Sequence, residues 1–336
     1  MAPYPFQRLT VVGVGLIGGS VALAARRAWP ELWIEAVDAA ADVQAYAQLL
    51  VDDEANAVFQ RVYSDISEIF ANPTPSEHAD SLATSHLIVI AAHLSANREL
   101  LQRLSDVLPP DANPVISDIG SCKRQICALG ESLFPEQFIG GHPLAGRERS
   151  GLAMAQATLF DGKPWLFCPP EGATVDSRLQ AFVAGLGAAR VITLTPARHD
   201  MIMAFISHFP QLYSTLLINL LDQAGREDPQ HAVDLLQFQG TGIAGHLRLA
   251  ASPYAMWHEV FSENADNLSS VLRAWQALTS QAQGVLASSF DNEHQEDAPQ
   301  DVLNPLLETW FTRANTLYDT FLNLQASQVS EPHISG

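Results

Sequence analysis

The stretch RLTVVGVGLIGGS (8–20) decides the fold. An apolar, strand-like run leads directly into Gly13-x-Gly15-x-x-Gly18, and helical spacing begins beyond it. In a strand–turn–helix of this kind the three glycines have separate tasks. Gly13 permits the tight turn, Gly15 lets the backbone approach a pyrophosphate, and Gly18 lets helix and strand pack closely. The backbone N–H groups at the helix start, around Leu16 and Ile17, then face the phosphates with the positive end of the helix dipole.

A second strand, WIEAVD (33–38), ends in Asp38, twenty residues beyond Gly18. An acidic residue there accepts hydrogen bonds from the adenosine ribose. The following AAADV (39–43) has no arginine to hold a 2′-phosphate, so NAD is the expected cofactor rather than NADP.

Further strands are expected at HLIVIAA (86–92), PVISDIG (114–120), FIGGHP (138–143), KPWLFCPP (163–170) and ARVITLTP (189–196). Helical stretches such as ANRELLQRLSDVL (96–108) separate them. Apolar strands alternating with helices indicate a doubly wound, mainly parallel α/β sheet of Rossmann type. From residue 197 the pattern is helical, as in DMIMAFISHFPQLYSTLLINLL (200–221). The expected organisation is a nucleotide-binding domain over 1–196, an all-α domain over 197–326, and a disordered tail over 327–336. SSFDNEHQEDAPQD (288–301) reads as a solvated loop, and the long apolar helical faces suit a homodimer.

Of the 336 residues, 18 are Lys or Arg and 37 are Asp or Glu, a formal net charge of −19. That balance argues against nucleic acid and anionic membranes as partners. Cys122, Cys127 and Cys168 form neither a disulfide framework nor a metal site, so no metal is expected. MAPYPFQRLTV shows no secretion signal and no apolar run approaches the roughly 18 residues of a membrane span. A cytoplasmic protein is expected.

Ligands of such sheets bind beyond the carboxyl ends of the strands. Three polar clusters fall there: Ala92-His93, Ser117–Lys123 and Gly141-His142-Pro143. Pro143 forces His142 into an extended conformation, Gly140 and Gly141 are expected to admit a ligand, and a neutral imidazole suits a proton acceptor. Ser121 reads either as a helix N-cap or as a hydroxyl that orients a substrate oxygen. Lys123 is expected to attract a carboxylate, and Ala92 and His93 to contact the cofactor. His93 reads equally well as a loop cap, and His199 as a helix cap.

GLIGGS, SDIGSCK, GGHPLAGRERSG and HD followed by MAFISHFP resemble, in order and spacing, the motifs of the prephenate/arogenate dehydrogenase family of tyrosine biosynthesis. The resemblance implies a dicarboxylate cyclohexadienyl substrate, hydride transfer to NAD with loss of the ring carboxyl as CO2, and a helical dimer. It implies that His142 accepts the hydroxyl proton, that Ser121 orients that hydroxyl, and that Arg248, in GIAGHLRLAASP, grips a carboxylate. By helical spacing Asp200, Ser207 and Gln211 share one face and His208 points away, while Pro210 kinks the helix. Ser207 and Gln211 are candidate substrate contacts. Many relatives carry a second histidine where Gln211 stands, which leaves open prephenate, arogenate or a ring-amino analogue. They also carry Thr-Pro where this chain has Ala92-His93. A β-hydroxyacid dehydrogenase or a non-catalytic NAD-binding protein on the same plan remain the competing readings.

Overall fold

Strands buried on both faces read as unbroken apolar runs, and in the computed structural model every residue of β1 (Arg8–Val12) and β4 (His86–Ile90) is buried. The structure describes residues 4–71, 85–147, 150–227, 240–293 and 305–330, with isolated residues between 228 and 239. Two compact units divide the chain, Met1–Leu268 and Ser269–Gly336.

The first unit holds an eight-stranded sheet. Its strands are β1, β2 (Trp33–Val37), β3 (Arg61–Tyr63), β4, β5 (Val115–Asp118), β6 (Phe138–Pro143), β7 (Pro164–Cys168) and β8 (Arg190–Thr193). They lie in the order β3-β2-β1-β4-β5-β6-β7-β8. The Rossmann-type sheet is parallel except between β6 and β7. Val12 pairs with both Val37 and Ile90, so the carboxyl ends of β1, β2 and β4 lie level. Ile90 in turn pairs with Asp118, which brings β5 to the same edge.

Helices cover both faces, and α2 (Ala41–Leu49) and α3 (Glu68–Ala71) follow α1 (Leu16–Ala28) in sequence. On one, α1 and a later helix, Ser177–Gly185, contribute Val21, Ala22, Phe182 and Val183 to the core. On the other, α4 (Leu94–Val107) and α5 (Arg124–Leu133) bury Leu101, Leu104, Ile126 and Cys127. After β8 the described residues are helical. A helix over Pro196–Met203 passes through a π turn (Ala204–His208) into a helix over Phe209–Glu227. A short helix (Thr241–Leu247), a 3-10 turn (Arg248–Ala251) and a helix over Tyr254–Glu263 follow.

In the second unit the helix Pro305–Ser330 exposes Phe311, Leu317, Tyr318 and Phe321.

Four expectations change. β3 has no counterpart among the expected strands, and β7 runs antiparallel to β6. Residues 288–293 belong to the helix Ala265–Glu293 rather than to a loop, while 294–301 lie outside the described residues. Residues 327–330 continue the last helix, and 331–336 lie outside the described residues. Pro196–Arg226 is long and apolar enough to cross a membrane, by length and composition only. Its buried face carries His199, Asp200, His208 and Gln211, while Phe205, Ile206, Leu216 and Leu220 are exposed.

Candidate active site

Gly13 sits at φ +92°, in the left-handed region, and a Cβ there would come within 2.7 Å of the Ala92 nitrogen. A Cβ on Gly18 would lie 2.1 Å from the Gly13 carbonyl oxygen, so only glycine allows α1 to leave β1 this closely. A Cβ on Gly15 would meet nothing within 4 Å. That open space, beside a helix whose first residue Leu16 follows an N-cap without side-chain capping, fits a pyrophosphate. Ile17 packs against the core beside it. Asp38 lies just past β2, where its carboxylate accepts hydrogen bonds from the Val14 and Ala40 amides, both at 3.0 Å. These residues together fit a dinucleotide.

Ala92 gives its N–H to Asn97 Oδ1 at 2.9 Å. His93 is exposed and is the N-cap residue of α4, without a side-chain capping bond.

His142 lies on β6, opposite Leu166 of β7, and is half-buried. Its Nδ1 is 2.9 Å from Nε2 of His199. Nδ1 of His199 is 2.8 Å from Oδ1 of Asp200. Asp200 also accepts the backbone N–H groups of Lys123 (2.8 Å) and Arg124 (3.1 Å) and the Arg124 Nε–H (3.1 Å). Burial opposes its charge, but the bonds from His199, Lys123 and Arg124 outweigh that, and the carboxyl titrates below its ordinary value. Burial first, with His199, Lys123 and His208 opposing a further positive charge, holds the His142 pKa well below the usual histidine range. Burial lowers His199 likewise, against the pull of Asp200.

Lys123 corrects one expectation. Its side chain is wholly buried and pairs with Asp118 at 2.5 Å, while Nζ also donates to the Gly141 carbonyl at 2.7 Å. Asp118 in turn accepts the N–H groups of Gly120 (2.7 Å) and Gly141 (3.2 Å). The ammonium is therefore committed to fastening Asp118, whose carboxylate holds the Gly120 amide beside Ser121, to Gly141 beside His142, and it is not presented to a ligand carboxylate. Gly140 and Gly141 are corrected as well. A Cβ on Gly140 would strike Cys127 Sγ at 2.4 Å, and one on Gly141 would strike the Asp118 carbonyl at 2.6 Å, so the protein's own core occupies that space.

Ser121 is half-buried, and α5 starts later, with Lys123 as its N-cap residue. Asp200 does the capping expected of Ser121, and no hydrogen bond occupies the Ser121 hydroxyl among the described residues.

The π turn shifts the helical register by one residue. His208, not Ser207, joins Asp200 on the buried face, with Gln211 beyond it. Ser207 is half-buried. His208 Nδ1 is 3.0 Å from Asn264 Nδ2, and burial lowers its pKa to about 4. Pro210 offers no N–H, and the Phe209 N–H reaches back five residues to the Ala204 carbonyl. Gln211 Nε2 donates to the Leu249 carbonyl at 2.8 Å and Ser214 Oγ accepts the Ala250 N–H at 3.0 Å, which docks the turn carrying exposed Arg248.

The sequence reading missed His199, His208 and Asn264 as members of this cluster. The adjacent pair His199-Asp200 at a helix start was the available signal. Thr195, whose side chain accepts the Arg198 N–H, is the cap there. In the block GRERSG, Glu148 and Arg149 lie outside the described residues. Among the described residues no cluster fits a metal ion.

A family model for the nucleotide-binding domain of prephenate dehydrogenase matches residues 63–192, downstream of the glycine loop and Asp38. One for the dimerization domain of prephenate dehydrogenase matches 195–298, and together they span well over half of the chain. Prephenate dehydrogenase of Bacillus subtilis is 28% identical over 274 residues, 80% of this chain and 67% of that protein. The Lactococcus lactis prephenate dehydrogenase is 28% identical over 266 residues, 77% of this chain and 66% of its own length. The chain thus spans about two thirds of the length of these relatives. In fold it is similar to the Aquifex aeolicus prephenate dehydrogenase crystallised with hydroxyphenyl propionate and NAD+. That likeness has a TM-score of 0.73 at 24% identity, covering 92% of this chain and 98% of the other. The chain belongs to the prephenate dehydrogenase family.

Proposed function

We propose that the chain is an NAD-dependent dehydrogenase that oxidatively decarboxylates prephenate to 4-hydroxyphenylpyruvate, the step towards tyrosine. The observation that carries the reading is His142. It is a neutral imidazole near the carboxyl end of β6, with Nδ1 bonded to His199 and no hydrogen bond at Nε2 among the described residues.

NAD held by the glycine turn and Asp38 would supply the hydride acceptor for the hydroxyl-bearing ring carbon. Gly13, Gly15 and Gly18 shape the pyrophosphate turn, Leu16 and Ile17 open the helix beneath it, and Asp38 holds the ribose. The substrate hydroxyl loses its proton to His142 Nε2, and the Ser121 hydroxyl orients the same oxygen. The bond to the ring carboxyl breaks, CO2 departs, and its electron pair completes the aromatic ring. Arg248 is suited to a substrate carboxylate, because a guanidinium forks onto two oxygens. Residues 1–196 would hold the nucleotide, and 197–326 the substrate side and the dimer. The match to a dimerization domain supports a homodimer, as do exposed Phe205, Ile206, Leu216 and Leu220. Three free, buried cysteines agree with a cytoplasmic site of action.

One observation favours arogenate as a second reading. Gln211 spends its Nε2 on Leu249, and its buried Oε1 has no partner among the described residues. A buried acceptor calls for a donor, which an amino group supplies and a keto oxygen does not.

Parallel assays of prephenate and arogenate with NAD and NADP test the proposal. NADH formation with prephenate is expected. NADH with arogenate alone moves the assignment to the second reading, and none with either substrate refutes both.

A further inference from the structure

His142 carries its lone pair on the correct nitrogen only in one tautomer, and an isolated imidazole does not choose that tautomer by itself. The structure contains a device that makes the choice. Asp200, receiving three N–H donors from Lys123 and Arg124 at the start of α5, stays ionised and can only accept. His199 Nδ1 must therefore carry the proton shared with Asp200 Oδ1, and His199 Nε2 is left as an acceptor. His142 Nδ1, 2.9 Å from that acceptor, must then carry a proton of its own. The lone pair of His142 is confined to Nε2.

We propose that Asp200 and His199 act as positioning residues, fixing His142 as its Nδ1–H tautomer and stabilising the imidazolium that forms when Nε2 takes up the substrate proton. The catalytic role of His142 assumed here rests on the proposed dehydrogenase function. The charged and titratable groups that face His142 agree with the assignment. Lys123 is neutralised by Asp118, Arg124 is shared between Asp200 and Asp266, and burial keeps His208 uncharged, so Asp200 is the carboxylate linked through His199 to a cation on His142. The same carboxylate binds the amides of Lys123 and Arg124, next to Ser121. One group thus sets the proton-accepting nitrogen and also locates the loop that carries the orienting hydroxyl.

Nitrogen-15 spectra of histidine-labelled protein, with His142 assigned through H142N, read the tautomer without turnover. Wild-type protein is expected to show His142 protonated on Nδ1. His199→Leu is expected to lose that preference and to lower kcat by about 10- to 100-fold, the usual cost of removing an outer partner, with KM little changed. His199→Gln, which can again place an acceptor near Nδ1, is expected to recover most of the rate. Wild-type His142 protonated on Nε2 would overturn the proposal, as would a folded His199→Leu variant with unchanged kcat. If His199→Leu fails to fold, the wild-type spectrum decides alone. Absence of turnover in wild-type protein would count against the dehydrogenase reading and leave the tautomer result intact.

Discussion

His142 Nδ1 and His199 Nε2 share one hydrogen bond of 2.9 Å, made between a strand and a helix that lie 57 residues apart in the chain. Through it a half-buried imidazole is tied to a carboxylate it does not touch.

Gly15 and Gly18 should respond differently to substitution. Gly15→Val adds a side chain where a Cβ meets no protein atom, so the melting temperature should hold while NAD affinity falls. Gly18→Val forces atoms against the Gly13 carbonyl and should lower the melting temperature itself. Thermal melts with NAD titration distinguish the two.

Asp38→Asn removes the anion expected at the ribose. Hydrogen bonds to charged groups are worth about 1.5–3 kcal/mol, so the Kd for NAD should rise by about 10- to 100-fold, with NADP much less affected. Titration of both nucleotides by fluorescence checks the ratio.

The first of these features was fully legible in the sequence, because RLTVV, three glycines and Asp38 are contiguous signals with fixed spacing. What escaped depended on distance or on geometry. β3 is three residues long and sits at an edge, too short to give a pattern. The antiparallel direction of β7 leaves no trace, since strand periodicity is blind to direction. His208 was assigned to the wrong face because a π turn adds a residue to the helical period. Of the two readings of Ser121, the cap fails because the carboxylate that binds the helix-start amides, Asp200, lies 79 positions away, and the glycines at 140 and 141 answer to Cys127 and Asp118 rather than to a ligand.

Lys123→Met should destabilise the fold by about 3–5 kcal/mol, the cost of leaving a buried ionised partner unpaired. Asp118 is wholly buried and would be that partner. Urea denaturation of wild type and variant measures the difference. A folded variant with unchanged stability and a raised substrate KM would restore the carboxylate-binding role.

Acid should weaken the fold above the range where carboxylates titrate. His208 titrates at about 4 in the folded protein, against about 6.5 when exposed, so the unfolded chain binds the proton first. Stability from this group is complete above pH 6.5 and is lost as pH falls towards 4, on the order of 3 kcal/mol in all. His86, His142 and His199 are shifted in the same direction. Urea midpoints at pH 7 and pH 5 should differ, and His208→Gln should reduce the difference.

The most direct test of the account is the turnover of His142→Asn with prephenate and NAD, measured beside its NAD affinity. The account predicts a kcat lower by about 10²- to 10⁴-fold, the range supplied by a positioned base, with the Kd for NAD unchanged. Turnover at the wild-type rate in that variant would contradict it.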